Sequence, residues 1–170
     1  QSELVDLLPR DRVESGHGDP ADVLLDDVLI GLLRSFGEQV PAEPWCAAML
    51  GYGAGVHAPG RTEPAAAVAA AHHVLLAHGL AVDVLRDQVL APDPEIGITL
   101  NPYPVLPAAA EPSDADLDAV RRIDGLANRL WYDPVLRGTY PDDVLADLAA
   151  VSDLSHIRDG DLAQIARPVD

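Results

Sequence analysis

The first clear pattern of apolar residues in the chain has the spacing of a helix. Apolar side chains recur at offsets of 3, 4, 7, 8 and 11 residues, which places them on one helical face. Asp19 suits the N-cap, Pro20 suits the first turn, and Gly37 suits the end of such a helix. The pattern therefore predicts an amphipathic helix whose apolar stripe is Leu25, Val28, Leu29, Leu32, Leu33 and Phe36.

A second helix is predicted after a glycine-rich stretch. Thr62 is a suitable cap, Pro64 lies in the first turn, and alanine-rich sequence continues to about Arg86. Apolar residues lie on most sides of this helix, which is typical of a helix buried in a layered protein. The glycine-rich stretch itself, 51–60, is predicted to be a loop.

One short strand is predicted in the middle of the chain. Ile96, Ile98 and Leu100 alternate with other residues after the break at Asp93-Pro94. A strand needs neighbours for its backbone N–H and C=O groups, and the sequence offers no second convincing strand. We therefore expect an α/β chain, rich in helix and with few strands, that is part of a larger layered protein. The first residue, Gln1, fits the same expectation.

Three more helices are predicted toward the C-terminus. The first of these helices is predicted to start at Ser113, which forms a short capping box with Asp116, and to run to about Trp131. The other two are predicted to begin near Pro141 and near Asp161.

Composition narrows the classes of function. The chain has 170 residues, 48% of them hydrophobic, and a formal net charge of -17 with arginine as its only strongly basic residue. Such a surface repels nucleic-acid backbones and anionic lipid. We also expect no membrane span, because no apolar run comes near the roughly 20 residues that a span needs. The single cysteine, Cys46, excludes an intrachain disulfide and a cysteine-rich zinc site, and favours a reducing, cytoplasmic location.

The densest set of candidate functional residues lies between 43 and 60. Glu43 and Trp45 flank a proline, and His57 lies in the glycine-rich stretch that follows. Pro44 disfavours helical geometry at Glu43, so Glu43 is expected in extended chain just before a turn, where α/β proteins often place site residues. An indole beside a carboxylate suits a sugar, whose apolar face stacks on the ring. From the residues alone, a solvated surface glutamate and a core tryptophan remain open alternatives.

Several runs of residues occur together, in register, in one known family. They are Glu43-Pro44-Trp45, the glycine-rich run 51–60, Ala71-His72-His73, Ile96-Gly97-Ile98-Thr99-Leu100-Asn101, the run 121–129, Asp133-Pro134, Arg137-Gly138 with Tyr140-Pro141, and Pro168-Val169-Asp170. These runs resemble the central part of family 1 glycoside hydrolases of the β-glucosidase type. The resemblance is strong over 43–170 and weak over 1–40. It implies that residues 1–170 form a single, incomplete segment of a glycosidase barrel.

The resemblance implies a fold, a reaction and roles for individual residues. The fold is a (β/α)8 barrel, of which this chain would be a partial segment, and the reaction is retaining hydrolysis of a β-glycoside or oligosaccharide by two glutamates. Glu43 takes the role of general acid/base, while Trp45, His57 and Asn101 are implied to bind substrate on the aglycone side. We expect no cofactor and no metal. His73 and His78 lie about 140° apart on a helix, at roughly 100° per residue, and so do not share a face.

The sequence departs from the family pattern at three points. The family has Asn before the acid/base glutamate, where this chain has Ala42, and Val40-Pro41 stands where the family has a strand. None of the seven glutamates has the Thr-Glu-Asn-Gly context of the family nucleophile. Without a nucleophile the covalent intermediate cannot form, so we expect this chain alone to be inactive.

Two functions therefore remain open from the sequence. The first is a segment of a β-glycosidase, either a partial gene product or one piece of an assembly that needs other chains. The second is a non-enzymatic, acidic helical remnant that forms a homo-oligomer or binds a partner.

Overall fold

The computed structural model describes residues 43–88 and 95–170, and the regular structure within these ranges is helical. We number the α-helices in chain order and call the two π-helices the first and the second. The elements are the first π-helix Cys46–Gly53, α1 Pro64–Gln88, α2 Asp114–Asp124, the second π-helix Gly125–Arg129, α3 Leu130–Arg137, α4 Asp142–Leu148 and α5 Asp161–Ile165.

α1 is the central helix of this part of the chain. It packs against the first π-helix and α5, and it also contacts α3. Trp131 from α3 and Ile165 from α5 belong to the same buried apolar cluster as the side chains of α1. The predicted buried helix is therefore confirmed, and its buried apolar residues are Ala67, Val68, Ala70, Ala71, Val74, Leu75, Ala77 and Val82.

The apolar sequence of α1 also corrects one expectation. The stretch Pro64–Asp87 is long and apolar enough to cross a membrane by length and composition, so the statement that no such run exists is wrong. Histidines and a glycine interrupt the alanines and valines of this stretch, so its sequence shows no unbroken apolar run. In the structure 67% of its most apolar window is buried inside the protein, as expected of a helix in a protein core.

The predicted capping box at Ser113 is formed. The backbone N–H of Asp116 donates to Ser113 Oγ at 3.2 Å, and the N–H of Ser113 donates to Asp116 Oδ2 at 2.9 Å. α2, the second π-helix and α3 then follow one another directly, so the helical chain continues beyond the predicted end near Trp131 to Arg137. Gly138 ends it in a left-handed conformation with φ of 68°.

The other predicted helices have mixed outcomes. α4 begins directly after Pro141 and α5 begins at Asp161, as predicted. The helix predicted between Asp19 and Gly37 lies outside the described residues. The predicted glycine-rich loop is correct only after residue 53, because its first three residues belong to the first π-helix.

The strand predicted at 96–100 is not formed among the described residues. Its alternation is present, since Ile96 is buried and Ile98 and Leu100 are half-buried while Gly97 and Thr99 are exposed. At its start, Ile96 accepts a hydrogen bond from the backbone N–H of Asp170 at 3.0 Å and donates one to the Asp170 side chain at 2.8 Å. The pattern thus predicted which side chains face the core, whereas a strand also requires a neighbouring strand, which the described residues do not supply.

Ion pairs fix α4 against the helices before it. Arg129 contacts the Asp143 carboxylate at 2.7 and 2.8 Å, and Arg121 contacts it at 2.9 Å. Hydrogen bonds from Arg129 and then from Arg121 hold the pKa of Asp143 well below its ordinary value. The second π-helix is thereby held between α2 and α4.

The contact between α1 and α5 requires glycine at position 79. A Cβ at Gly79 would overlap the carbonyl oxygen of Gln164 and lie 2.6 Å from its carbonyl carbon. We expect Gly79→Ala to lower the free energy of unfolding by about 3 kcal/mol, since the clash is with backbone and outweighs the better helix propensity of alanine. Denaturant unfolding followed by circular dichroism measures the change.

Gly97→Ala is the matched control for this substitution. A Cβ at Gly97 meets no atom within 4 Å, so the free energy of unfolding should stay within about 0.5 kcal/mol of the original. Equal stability of the two variants would show that α1 and α5 do not approach each other in this way.

Candidate active site

Glu43 lies immediately before a helical turn, as Pro44 predicted. Pro44 and Trp45 are helical and lead directly into the first π-helix, while Glu43 itself is outside the turn. The carbonyl oxygen of Glu43 accepts a hydrogen bond from the N–H of Ala47 at 3.1 Å, which ties the residue to the turn. The side chain of Glu43 is half-buried, so it can reach both protein and solvent.

Two side chains bind the carboxylate of Glu43. Asn101 Nδ2 donates a short hydrogen bond to Glu43 Oε2, although the two residues are 58 positions apart. Cys46 Sγ, one helical turn after Glu43, donates to the same oxygen at 3.4 Å. Oε2 accepts both of the hydrogen bonds that described residues donate to this carboxylate. Within the described residues, Oε1 is the oxygen left to bind a further partner.

The segment that carries Asn101 is held in place by the second π-helix. Asn128 donates to the carbonyl oxygen of Tyr103 at 2.9 Å and accepts from the N–H of Tyr103 at 3.2 Å. Asn128 Nδ2 also donates to Asp124 at 2.7 Å, which fixes the orientation of the amide. The π-helix thus fixes the chain two residues beyond Asn101.

Glu43 and Asn101 line a small pocket together with aromatic side chains. The pocket is small: the space between its residues is about 240 Å³ when the open solvent at its mouth is included. Among its lining residues, Glu43 is the only one with a carboxylate. The lining residues are Glu43, Pro44, Trp45, Thr99, Leu100, Asn101, Ala127, Trp131 and Tyr132.

The aromatic walls of this pocket are fixed by burial. Trp131 is only 2% exposed, and its indole N–H donates to the carbonyl oxygen of Leu126 at 2.9 Å. Burial raises the pKa of Tyr132, so its hydroxyl stays neutral at physiological pH. Trp45 is half-buried and leaves part of its ring toward solvent. Trp45 and Tyr132, which are half-buried, offer stacking area and a neutral hydroxyl beside a single carboxylate, and buried Trp131 supports them.

The structure brings three of the four predicted site residues together. Glu43, Trp45 and Asn101 line the pocket, whereas His57 is exposed in the turn after the first π-helix and is not a lining residue. The backbone N–H of His57 donates to the carbonyl oxygen of Leu50 at 3.1 Å. The substrate-binding role of His57 therefore stays a prediction.

Sequence reasoning missed the second aromatic wall. Trp131 and Tyr132 are adjacent in sequence, and an adjacent aromatic pair at the end of a helical pattern was the available signal. It was not sufficient, because the helix was expected to end near Trp131. The histidines of α1 form no metal site with other residues of the described ranges, in which no group of three or more potential ligands is close enough.

Comparison with known proteins identifies the family. The model of glycosyl hydrolase family 1 matches residues 32–170. The chain belongs to glycosyl hydrolase family 1. The match includes the whole pocket described above and begins within the N-terminal stretch whose resemblance was expected to be weak.

Curated members of the family are similar over most of this chain. A bifunctional β-D-glucosidase/β-D-fucosidase of Bifidobacterium breve is 41% identical over 128 residues, which cover 75% of this chain and 26% of that protein. A β-glucosidase of an Agrobacterium species is 42% identical over 106 residues, which cover 62% of this chain and 22% of that protein. The chain therefore spans about a quarter of the length of the curated relatives it matches.

Solved structures of family members share the fold of this chain. A psychrophilic β-glucosidase from Micrococcus antarcticus superposes with a TM-score of 0.72 and is 42% identical, covering 88% of this chain and 32% of that structure. A family 1 β-glucosidase from Exiguobacterium antarcticum gives a TM-score of 0.69 at 37% identity, covering 96% of this chain and 38% of that structure. These neighbours are barrel enzymes, and the helix-rich character expected of the chain is confirmed.

The contact between Cys46 and Glu43 makes a testable prediction. Burial raises the pKa of the Cys46 thiol, and the hydrogen bond and negative charge of Glu43 raise it further. Glu43→Gln removes the charge, so the pKa of Cys46 should fall but remain above its ordinary value. The pH dependence of the rate of alkylation by iodoacetamide measures this pKa, because Cys46 is the only cysteine.

Glu63→Gln is the control for this experiment. Glu63 is exposed and forms an ion pair with Arg61 at 2.7 Å, so its charge should not affect the thiol. A Cys46 pKa that is the same in Glu43→Gln as in the original chain would contradict the observed contact.

Proposed function

We propose that this chain supplies the acid/base side of a retaining β-glycosidase site, with Glu43 as the general acid/base. The observation that carries the proposal is the hydrogen bond from Asn101 to Glu43 at the edge of a pocket walled by aromatic side chains. The substrate would be a β-glycoside or an oligosaccharide. Membership of the family and the similarity to named β-glucosidases support this choice of reaction.

The geometry around Glu43 suits the two halves of an acid/base cycle. In the first half Glu43 protonates the leaving oxygen, and in the second half it takes a proton from water. Asn101 and Cys46 donate to Oε2 and orient the carboxyl group, while Oε1 is available to exchange a proton with the substrate.

The aromatic side chains of the pocket suit the sugar or aglycone group next to the bond that breaks. Trp45 lines the same pocket as Glu43, so its ring would lie beside a leaving group that meets the acid/base. Aromatic faces stack on the apolar face of a sugar, and the Asn101 amide can bind a hydroxyl through its carbonyl oxygen. His57 would assist from the neighbouring turn if that turn moved toward the substrate.

A polypeptide of these 170 residues should nevertheless be inactive on its own. No second carboxylate lines the pocket in the described part of the chain, and no glutamate has the sequence context of the family nucleophile. A retaining enzyme needs its two carboxyl groups about 5–5.5 Å apart. The nucleophile would therefore have to come from other residues, as in a longer chain, a complementing chain or a homo-oligomer.

A non-enzymatic role is the second candidate. The observation that favours it is a set of apolar side chains exposed at the surface, with Leu106 77% exposed, Val56 70% exposed and Leu136 64% exposed. An acidic helical module with such residues would act by self-association or by binding a partner. The cytoplasmic location also stays a prediction under either function.

A chimera tests the proposed function. Residues 43–170 would replace the matching part of the Bifidobacterium breve enzyme, which is 41% identical over 128 residues. We expect the chimera to hydrolyse an aryl β-glucoside, and Glu43→Gln to lower its kcat by about a hundredfold or more, since general acid–base catalysis contributes roughly 10²–10⁴-fold. Glu63→Gln, which lies outside the pocket, should leave kcat unchanged.

The isolated chain, measured in the same assay, should show no turnover above buffer. Turnover by the isolated chain that disappears in Glu43→Gln would contradict the inactivity of the chain alone. A folded, active chimera whose kcat is unaffected by Glu43→Gln would contradict the acid/base role of Glu43.

A further inference from the structure

Three histidine rings meet inside the protein on the side of α1 that carries α5. His72 and His73 are neighbours on α1, and His156 lies in the turn before α5; they are 2%, 4% and 8% exposed. The ring centroids lie 5.7 Å apart for His72 and His73, 5.5 Å for His72 and His156, and 6.1 Å for His73 and His156. We call these three residues the histidine cluster. It is separate from the pocket at Glu43 and plays no part in the proposed reaction.

His72 is the one ring of the cluster with both nitrogens bonded. Its Nδ1 lies 3.0 Å from the Tyr140 hydroxyl, and its Nε2 lies 2.9 Å from Asp161 Oδ2. Burial raises the pKa of Tyr140 well above its ordinary value, so the hydroxyl stays protonated. It therefore donates a hydrogen bond to His72 Nδ1. The Nε2–H then donates to the Asp161 carboxylate, and this arrangement satisfies a neutral imidazole.

The other two rings are buried with nitrogens that lack a partner. His73 Nδ1 and His156 Nε2 are enclosed and accept or donate no hydrogen bond within the described part of the chain. A proton added at either nitrogen would be a buried charge without a hydrogen-bond partner. His73 and His156 are therefore tolerated as neutral rings and not as charged ones.

Few charges face the cluster from the surrounding elements. Asp161, at the start of α5, is the carboxylate bonded to His72, and its Oδ2 also accepts the backbone N–H of Arg158 at 2.7 Å, while the negative charge of Asp153 acts on His156. Asp153 is exposed and accepts the N–H and the hydroxyl of Ser155, while the positive charge of Arg158 disfavours a second one at His73. The half-buried carboxylate of Asp161 can offset the charge of one imidazolium. A second imidazolium in the cluster would lie only 5.5–6.1 Å from the first, measured between ring centroids.

We propose that the histidine cluster is an acid-operated release for residues 152–165, which are packed on α1 while the rings are neutral and detach when two rings are protonated. This stretch contains His156, Asp161 and α5, and its backbone at Gln164 lies directly against Gly79 of α1. Detachment would expose both unpartnered nitrogens to water. The first π-helix packs on α1 independently of α5 and would stay in place.

The pKa directions agree with this geometry. Burial, followed by repulsion within the cluster, lowers the pKa of His73 to about 4 and that of His156 to about 4. Burial lowers the pKa of His72 as well, and Asp161 partly offsets this. In the detached state each ring returns to its ordinary value of 6.5, so detachment takes up protons between pH 6.5 and about 4. The packed state is therefore favoured above pH 6.5 and loses stability as the pH falls.

Hydrogen exchange at two pH values tests the release. The pKa of His73 and that of His156 are each about 4 in the packed state and 6.5 in the detached state. At pH 5 this difference makes detachment about thirtyfold more favourable for each ring. Amides in residues 152–165 of the full chain should therefore open at least about a hundredfold more often at pH 5 than at pH 7.5, after correction for intrinsic exchange. Amides of the first π-helix should open equally often at both pH values.

Variants assign the effect to the cluster. The double variant His73→Phe/His156→Phe keeps two rings that cannot be protonated. Its exchange in 152–165 should therefore lose most of its dependence on pH, with only the smaller contribution of His72 left in the cluster. His57→Gln is the matched control, because His57 is exposed in a turn, and it should keep the full pH dependence. Equal opening of 152–165 at both pH values in the original chain, or a pH dependence that the double variant retains, would overturn the proposal.

A direct titration keeps the test decisive if the double variant does not fold. Exchange of the histidine C2 protons of the original chain, followed by mass spectrometry, gives the pKa of each ring. We expect the pKa values of His73 and His156 to lie far below the ordinary value of histidine. Ordinary pKa values for His73 and His156 would overturn the proposal.

Discussion

The apolar surface of α1 has to be covered, and the elements that cover it determine where the candidate site lies. Nearly every turn of α1 contributes a buried alanine, valine or leucine, and the first π-helix, α3 and α5 pack on these side chains. Burial of this area is the main source of stability available to a chain without a disulfide. Because the first π-helix begins three residues after Glu43, its packing on α1 also fixes the position of the carboxylate.

The candidate site then depends on a second constraint, which joins two distant parts of the chain. Glu43 lies at the start of the first π-helix, and Asn101 lies in an extended segment that Asn128 holds beyond it. Both residues stand just outside helical structure, at points where the backbone is fixed and the side chain remains free to meet a ligand. The pocket between them combines one carboxylate with aromatic walls, which is the chemistry proposed for the acid/base side of a glycosidase.

The sequence predicted the parts of this fold that depend on local interactions. Ser113 with Asp116 predicted the start of α2, because a capping box is formed by residues within one turn. The strand predicted at 96–100 is not formed in the part of the chain that the structure describes. The alternation there correctly indicated which side chains point inward, but a strand also needs a neighbouring strand. Neither π-helix has a sequence signal of its own, so the glycine-rich stretch was interpreted as loop from residue 51 onward.

The candidate site was predictable only where family resemblance marked its residues. Glu43, Trp45 and Asn101 were identified in this way, whereas Tyr132 and Thr99 become neighbours of Glu43 only through packing. The histidines show the same limit. Their spacing along α1 indicated nothing of the cluster, because its third member, His156, lies far along the chain and comes close only when α5 packs on α1.

The most direct test of the account is a double-mutant cycle between Glu43 and Asn101. The free energy of unfolding would be measured for Glu43→Ala, Asn101→Ala and the double variant, with Glu63→Ala and Asn101→Ala as the control pair. A hydrogen bond to a charged group at a partly exposed site predicts a coupling of about 1 kcal/mol for the first pair and additive effects for the control. Additive effects for Glu43 and Asn101 would contradict the contact from which the candidate site is built.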